Sequence, residues 1–243
     1  MATERAAFDV VNPAGRAPYV LLCEHASNWI PPEYAGLGLG PADLSRHIAW
    51  DIGAASVART LSARLDAPLV MGGASRLLID LNRPLSSPTS IPERSEATDI
   101  PGNLNLDERE RQRRVERWFH PFQNEVGALL DQRQRAHKPT RIVAIHSFTP
   151  VFLGVARPWR AGILYSNAAD FAADLIEGLG GAAAAIAHNE PYRIEDSDDY
   201  TVPVHGQARG LDAVLVEIRQ DLIAAPAGQA AWAEALADAL NAV

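Results

Sequence analysis

Apolar positions along the chain alternate between short runs and helical periods. Tyr19–Cys23 is a short apolar run behind Pro18 and reads as a buried strand. It gives way to Glu24-His25-Ala26-Ser27-Asn28 and Pro31-Pro32, a polar, proline-broken stretch that reads as loop. Between Asp43 and Leu65, Leu44, Ile48, Ile52, Val57, Leu61 and Leu65 recur at helical spacing and predict one helix, starting near Pro41 or Ala42. Pro68–Met71 and Arg76–Leu81 predict two further strands, the second followed by Asn82-Arg83-Pro84. Residues 84–106 are rich in Pro, Ser and Asn and have no hydrophobic period, so they read as a long loop of the kind that is functional or mobile. Asp107–Ala136 predicts a long charged helix, with Val115, Phe119, Phe122, Val126, Leu129 and Leu130 on one face and Pro121 kinking or dividing it. Arg141–Ile145, ending in His146-Ser147, and Ala161–Tyr165 predict strands; Asn167–Leu179 predicts a helix and Ala183–Ala187 a weak strand. A polar loop from His188 to Tyr200 precedes a short helix over Val204–Gly210, a strand over Leu211–Ile218 and a closing helix over Gln229–Leu240.

Strands alternating with helices predict an α/β fold: a three-layer sandwich with a mixed, mostly parallel sheet and helices on both faces. No repeat or linker divides the chain, which reads as one domain over residues 1–243. In such sheets ligands bind outside the carboxyl ends of the strands. Four segments place polar residues at strand ends: Glu24/His25, Asn82/Arg83, His146/Ser147 and Glu217/Arg219.

Composition narrows the chemistry at that edge. The net charge of −8 disfavours nucleic acid as a partner, and no apolar run reaches the ~18 residues of a membrane span. Met1–Pro13 carries Glu4, Arg5 and Asp9 with no apolar core, so it does not read as a secretory signal, and the expectation is a cytoplasmic protein. Its one cysteine, Cys23, excludes an internal disulfide and a cysteine zinc cage, and inside a strand it reads as an inert thiol. Lys138, beside Pro139, is the one candidate for lysine chemistry and reads as a surface residue. Seven histidines remain.

His25 and His146 each end an apolar strand, and two imidazoles at corresponding strand ends begin a zinc site, which needs a third protein ligand and an open position. Asp51, His47, Glu24 and Asn28 are the candidates for that ligand. His47 and Asp51 are four apart on the expected helix and share its face, whereas alternation should turn Glu24 away from His25. Glu217, set among Val214, Leu215, Val216 and Ile218, is either a general base tuned by burial, a buried partner of Arg219, or a residue on the exposed face of an edge strand. Asn82 and Arg83 offer an amide and a guanidinium fork to a carboxylate; Arg76 is placed to polarise a carbonyl or to pair with Asp80. Ser147 lacks the Gly-x-Ser-x-Gly elbow of a nucleophile. The run Glu195-Asp196-Ser197-Asp198-Asp199 reads as a solvated loop rather than a cation site, His120 and His137 as structural or surface residues, and His188 and His205 flank the 188–205 loop, within reach of the site.

These segments resemble the N-formylglutamate amidohydrolase family. The most specific piece is Ser75-Arg76-Leu77-Leu78-Ile79-Asp80-Leu81-Asn82-Arg83-Pro84, supported by Cys23-Glu24-His25-Ala26-Ser27-Asn28 and by His146-Ser147-Phe148-Thr149-Pro150. The resemblance implies a phosphorylase/hydrolase-like fold similar to that of zinc carboxypeptidases and aspartoacylases. It implies one Zn2+ per chain on His25 and His146, with Glu217 activating a zinc-bound water. It also implies Asn82, Arg83 and Ser147 as substrate-binding residues, with Arg76 at the oxyanion. The wider pattern His-x-x-Glu breaks at Asn28, and Asp51 is the replacement, with His47 and Glu24 as alternatives. The expected activity is hydrolysis of a small N-acyl amino acid that carries a carboxylate, such as N-formylglutamate. A carboxylate-binding protein with a degenerate metal site and a carboxypeptidase acting on short peptides are the alternatives. Oligomeric state is not legible.

Overall fold

Tyr19–Cys23 (β2) is buried on both faces, which explains its unbroken apolar run. In this computed structural model, which describes residues 5–243, β2 lies inside a seven-stranded sheet. Its companions are Phe8–Val11 (β1), Leu69–Gly72 (β3), Arg141–Phe148 (β6), Ala161–Leu164 (β9), Ile186–His188 (β10) and Ala213–Arg219 (β11). Two small hairpins, Arg94–Ser95 with Thr98–Asp99 (β4, β5) and Val151–Phe152 with Val155–Ala156 (β7, β8), stand apart from it. The order is β1-β3-β2-β6-β11-β9-β10; β3, β2, β6 and β11 run parallel, and β1 and β9 oppose their inner neighbours. The amino end of Met1–Pro13, read as lacking a signal core, lies in part outside the described residues.

Strand alternation sorts side chains into two cores. Tyr19, Leu21, Cys23, Val143, Ile145, Val214 and Val216 pack with the helices Ala54–Leu65 (α2, after the short α1, Pro41–Leu44), Ala169–Gly178 (α5) and Pro226–Asn241 (α6). Val20, Leu22, Ile142, Ala144 and Leu215 pack on the other face against the π turn Val115–Phe119 and His120–Arg135 (α4), which follow Glu108–Arg114 (α3). The expected three-layer sandwich is therefore observed. Pro121 sits in the first turn of α4, where its missing N–H costs nothing, and the π turn before it absorbs the break.

Two elements differ from the sequence reading. The single helix over 43–65 is instead α1, a looped stretch and α2. Gly53 has φ +83, and a Cβ there would meet the Ile223 carbonyl oxygen at 2.3 Å. The loop's backbone is claimed from outside, since Ser75 Oγ and Arg76 N donate to the Ala49 carbonyl and Asp51 N donates to the His25 carbonyl. Asp51 is thereby released from a helix face into the sheet edge. Arg76–Leu81, expected as a strand, is a series of turns. Its carbonyls accept from buried side chains rather than from a neighbouring strand: Asn103 on Leu77, Arg114 on Leu78 and Gln123 on Leu81. Smaller shifts are the unforeseen edge strand β1, and β10 over 186–188, where 181–184 is a 3-10 turn. Among the described residues no helix is long and apolar enough to cross a membrane.

Candidate active site

The parallel strands β2, β3, β6 and β11 end at one edge of the sheet, and the site is assembled there. On β6, His146 follows the side of Ile142 and Ala144; on β11, Glu217 follows the side of Ala213 and Leu215 and lies in register opposite His146. Glu24 takes the side of Val20 and Leu22, and so reaches His146, its Oε2 lying 2.9 Å from Nε2. Alternation should turn Glu24 away from His25, yet both side chains converge on His146. The strand ends at Cys23, so alternation does not extend to His25, and the His25 and His146 rings meet at 4.8 Å.

The two imidazoles are held in the same manner. His25 Nε2 lies 2.7 Å from Asp80 Oδ1, and His146 Nε2 lies 2.9 Å from Glu24 Oε2. Their Nδ1 atoms turn toward one carboxylate: Asp51 Oδ2 is 3.4 Å from His25 Nδ1 and 2.9 Å from His146 Nδ1. All three residues are buried, and their ligand atoms lie within 4.8 Å of one another. His25 Nδ1 has no hydrogen-bond partner among the described residues. Of the four candidates for a third ligand, only Asp51 joins the two histidines in this cluster. His47 Nε2 lies 3.2 Å from Glu96, and Asn28 donates to the Leu44 carbonyl.

Charge in this cluster is dense. Burial alone would raise the Glu24, Asp51 and Asp80 carboxyls, but neighbouring His146, His25 and Arg76 outweigh it and hold all three below the usual range. Burial alone would lower His146, but Glu24 and Asp51 hold its pKa well above the ordinary value. Arg76 lies between two of these carboxylates, with Nε and Nη2 3.0 and 2.8 Å from Asp80 Oδ2 and Nη1 3.4 Å from Asp51 Oδ1. The Asp80 pairing foreseen for Arg76 is present, and Arg76 still lines the cavity.

Glu217 is different. Its Oε2 is buried without a partner among the described residues, and desolvation raises its pKa to about 7, with nearby Asp51 adding to the effect and His146 opposing it. Arg219 does not neutralise it: that guanidinium pairs with Asp221 at 2.8 Å. β11 is also interior, lying between β6 and β9, so Glu217 does not sit on an exposed edge.

A cavity of about 530 Å3 opens over these groups, lined in part by Arg76, Asn82, Arg83, Ser147, Tyr192 and Glu217. Asn82 is buried; its Oδ1 accepts from the N–H of Thr201 at 2.9 Å. Thr201, on the π turn Thr201–Gly206, also donates its hydroxyl to Glu24. Thr201 thus ties the Asn82 side of the cavity to His146, a role no local sequence pattern announces. Arg83 Nη1 lies 3.1 Å from Asp198, so the acidic run is not a free solvated loop but docks on the cavity rim. Ser147 is present, but its hydroxyl donates to the Ile52 carbonyl at 2.9 Å while its N–H donates to Asp51 at 3.2 Å. Its clearest role is to hold the Asp51 loop. Neither His205 nor His188 lines the cavity: His205 is buried against Gln123, and His188 meets Tyr165. His120 and Lys138 are exposed.

A family model described as N-formylglutamate amidohydrolase matches residues 17–224. The crystal structure of gene product Atu2144 from Agrobacterium tumefaciens is 43% identical with a TM-score of 0.94, over 98% of this chain and 94% of that one. An N-formylglutamate amidohydrolase from Ralstonia eutropha JMP134, 17% identical, shares the fold with a TM-score of 0.70 over 96% of this chain and 95% of that one. No match is found among curated proteins.

Proposed function

This chain belongs to the N-formylglutamate amidohydrolase family, and from that premise we propose that it is a cytoplasmic, zinc-dependent hydrolase of small N-acyl amino acids, N-formyl ones foremost. The observation that carries the reading is the pairing of an unpartnered buried carboxylate, Glu217, with a buried His-Asp-His cluster at the same sheet edge. His25, Asp51 and His146 fit a divalent metal. Two imidazoles and a carboxylate are a catalytic zinc donor set, each Nε2 is braced by a carboxylate, and His25 Nδ1 lacks another partner. Glu24 and Asp51 favour a proton on His146, and a cation can replace that positive charge. When bound, one such ion per chain would acidify water and polarise the acyl carbonyl.

The chain's own groups do the rest. Glu217, with a pKa of about 7, takes a proton from the attacking water at Oε2 and passes it to the departing amine. Arg76, fixed by Asp80 and Asp51, offers fixed positive charge where negative charge develops on the acyl oxygen. Asn82 and Arg83 bind the amino acid's carboxylate, so amides of the same amino acids are poor substrates. The test is a panel of N-formyl, N-acetyl and N-succinyl amino acids assayed for amine release, with metal analysis of the same protein. Near one zinc per chain, lost in His25→Ala, together with amine release from at least one acyl class, supports the reading. Tight carboxylate binding without metal or turnover would make the protein a binder, and release from unacylated short peptides alone would make it a carboxypeptidase.

A further inference from the structure

Asp198 sits in surroundings built for a carboxylate. Its Oδ2 lies 3.1 Å from Arg83 Nη1, and its Oδ1 accepts from Thr89 Oγ1 at 3.0 Å and from Ser87 Oγ at 3.2 Å. The two hydroxyls are 2.7 Å apart, and Ser87 is buried. A guanidinium and two hydroxyls thus converge on one carboxylate, and Arg83, Thr89 and Asp198 all line the cavity. Asp199 Oδ1 is 3.6 Å from the same Nη1, so two carboxylates share one guanidinium and an incoming acid meets excess negative charge. Burial raises the Asp199 pKa, as that crowding favours. The Asp198 carboxylate is held loosely: its side chain is 47% exposed, and a pair this open shifts an equilibrium by no more than about two- to fivefold. Arg83 also donates to the Asp198 backbone carbonyl, so the side chain can swing away while the arginine stays tethered.

We propose that Asp198 stands in for a substrate carboxylate, and that Arg83, Ser87 and Thr89 form the subsite it yields. This rests on the reading of Arg83 as the carboxylate-binding residue and extends it to the 84–106 loop, whose Ser87 and Thr89 become specificity residues for acidic N-acyl amino acids. The charge of Asp198 opposes such substrates until they displace it.

The experiment is calorimetric titration of the full chain with glutarate and with its uncharged diamide, glutaramide. Asp198→Asn, which keeps the shape and removes the charge, is expected to lower the glutarate Kd about two- to fivefold and leave glutaramide unaffected. In that background Ser87→Ala and Thr89→Val are each expected to weaken glutarate binding. Arg83→Ala separates this inference from its premise. If Arg83→Ala binds glutarate as the wild type does, the Arg83 reading falls and this inference falls with it. If Arg83→Ala weakens binding while Asp198→Asn weakens it too, or leaves it unchanged, Asp198 merely positions Arg83 and only this inference is overturned. Unchanged binding in both hydroxyl variants, or no glutarate binding by Asp198→Asn, also overturns it.

Discussion

Replacing Glu217 with glutamine should make the metal-free protein more stable while removing its catalysis. Burial first, and Asp51 second, raise the carboxyl from its ordinary 4.5 to about 7 in the fold, against the pull of His146. The unfolded chain restores the ordinary value. Below pH 4.5 the group is protonated in both states and contributes no penalty. As pH rises through the folded value of about 7, ionisation is tolerated by the unfolded chain and resisted by the fold, so stability is lost. Each pKa unit is worth about 1.4 kcal/mol, which makes the full penalty roughly 3 kcal/mol. Glutamine resembles the protonated acid and escapes it. Urea unfolding in the presence of a chelator should therefore give wild type and Glu217→Gln similar stabilities near pH 4.5, with the variant ahead by roughly 3 kcal/mol at pH 8. Hydrolysis by the zinc-loaded variant should fall by about a hundredfold or more, the usual contribution of a positioned base. A stability gap that does not widen with pH would refute the desolvated-carboxyl argument. Near-wild-type kcat at full zinc occupancy would refute the catalytic role.

Further outcomes follow from the same contacts. Arg83→Ala should raise KM about 10- to 100-fold for N-acyl amino acids, the scale of a lost charge-assisted hydrogen bond, and an unchanged preference over the corresponding amides would contradict the assignment. Thr201→Val removes the hydroxyl that braces Glu24, and through it His146. Zinc affinity, read by competition with a chromophoric chelator, should drop about tenfold and return in Thr201→Ser; a folded Thr201→Val with wild-type affinity would contradict the bracing role. Burial first, and Arg209 second, lower His205 from 6.5 to about 4. The unfolded state takes up that proton first, so stability should fall by roughly 3 kcal/mol as pH drops from above 6.5 to below 4. His205→Gln should flatten that slope in urea melts, and an unaltered slope would show that His205 does not cause it.

The chain's alternating pattern was sufficient for the architecture. Apolar runs at Tyr19–Cys23, Ile142–Ile145 and Ala213–Val216 read as strands covered on both faces and are strands, and amphipathic periods between them supply the covering helices. Arg76–Leu81 misled because its apolar run is genuinely buried. Burial says nothing of whether backbone partners come from a strand or from Asn103, Arg114 and Gln123, which lie 26 to 42 positions away along the chain. Asp51 was named as a metal candidate on a helix that does not form there. Gly53's positive φ and outside donors to the loop's backbone place the residue, and neither is local information.

By itself the sequence determined which side chains end the central strands, and so placed Glu24, His25, His146 and Glu217 at one edge of the sheet. Strand polarity is enough for that. Only the tertiary structure decided among the alternatives. It brought Asp51 to both imidazoles, left Glu217 without a cation from Arg219, and laid Asp198 on Arg83. Those outcomes depend on which distant groups share a low-dielectric space of a few ångströms. Charge pairing there is set by three-dimensional distance, and no period along the chain encodes it.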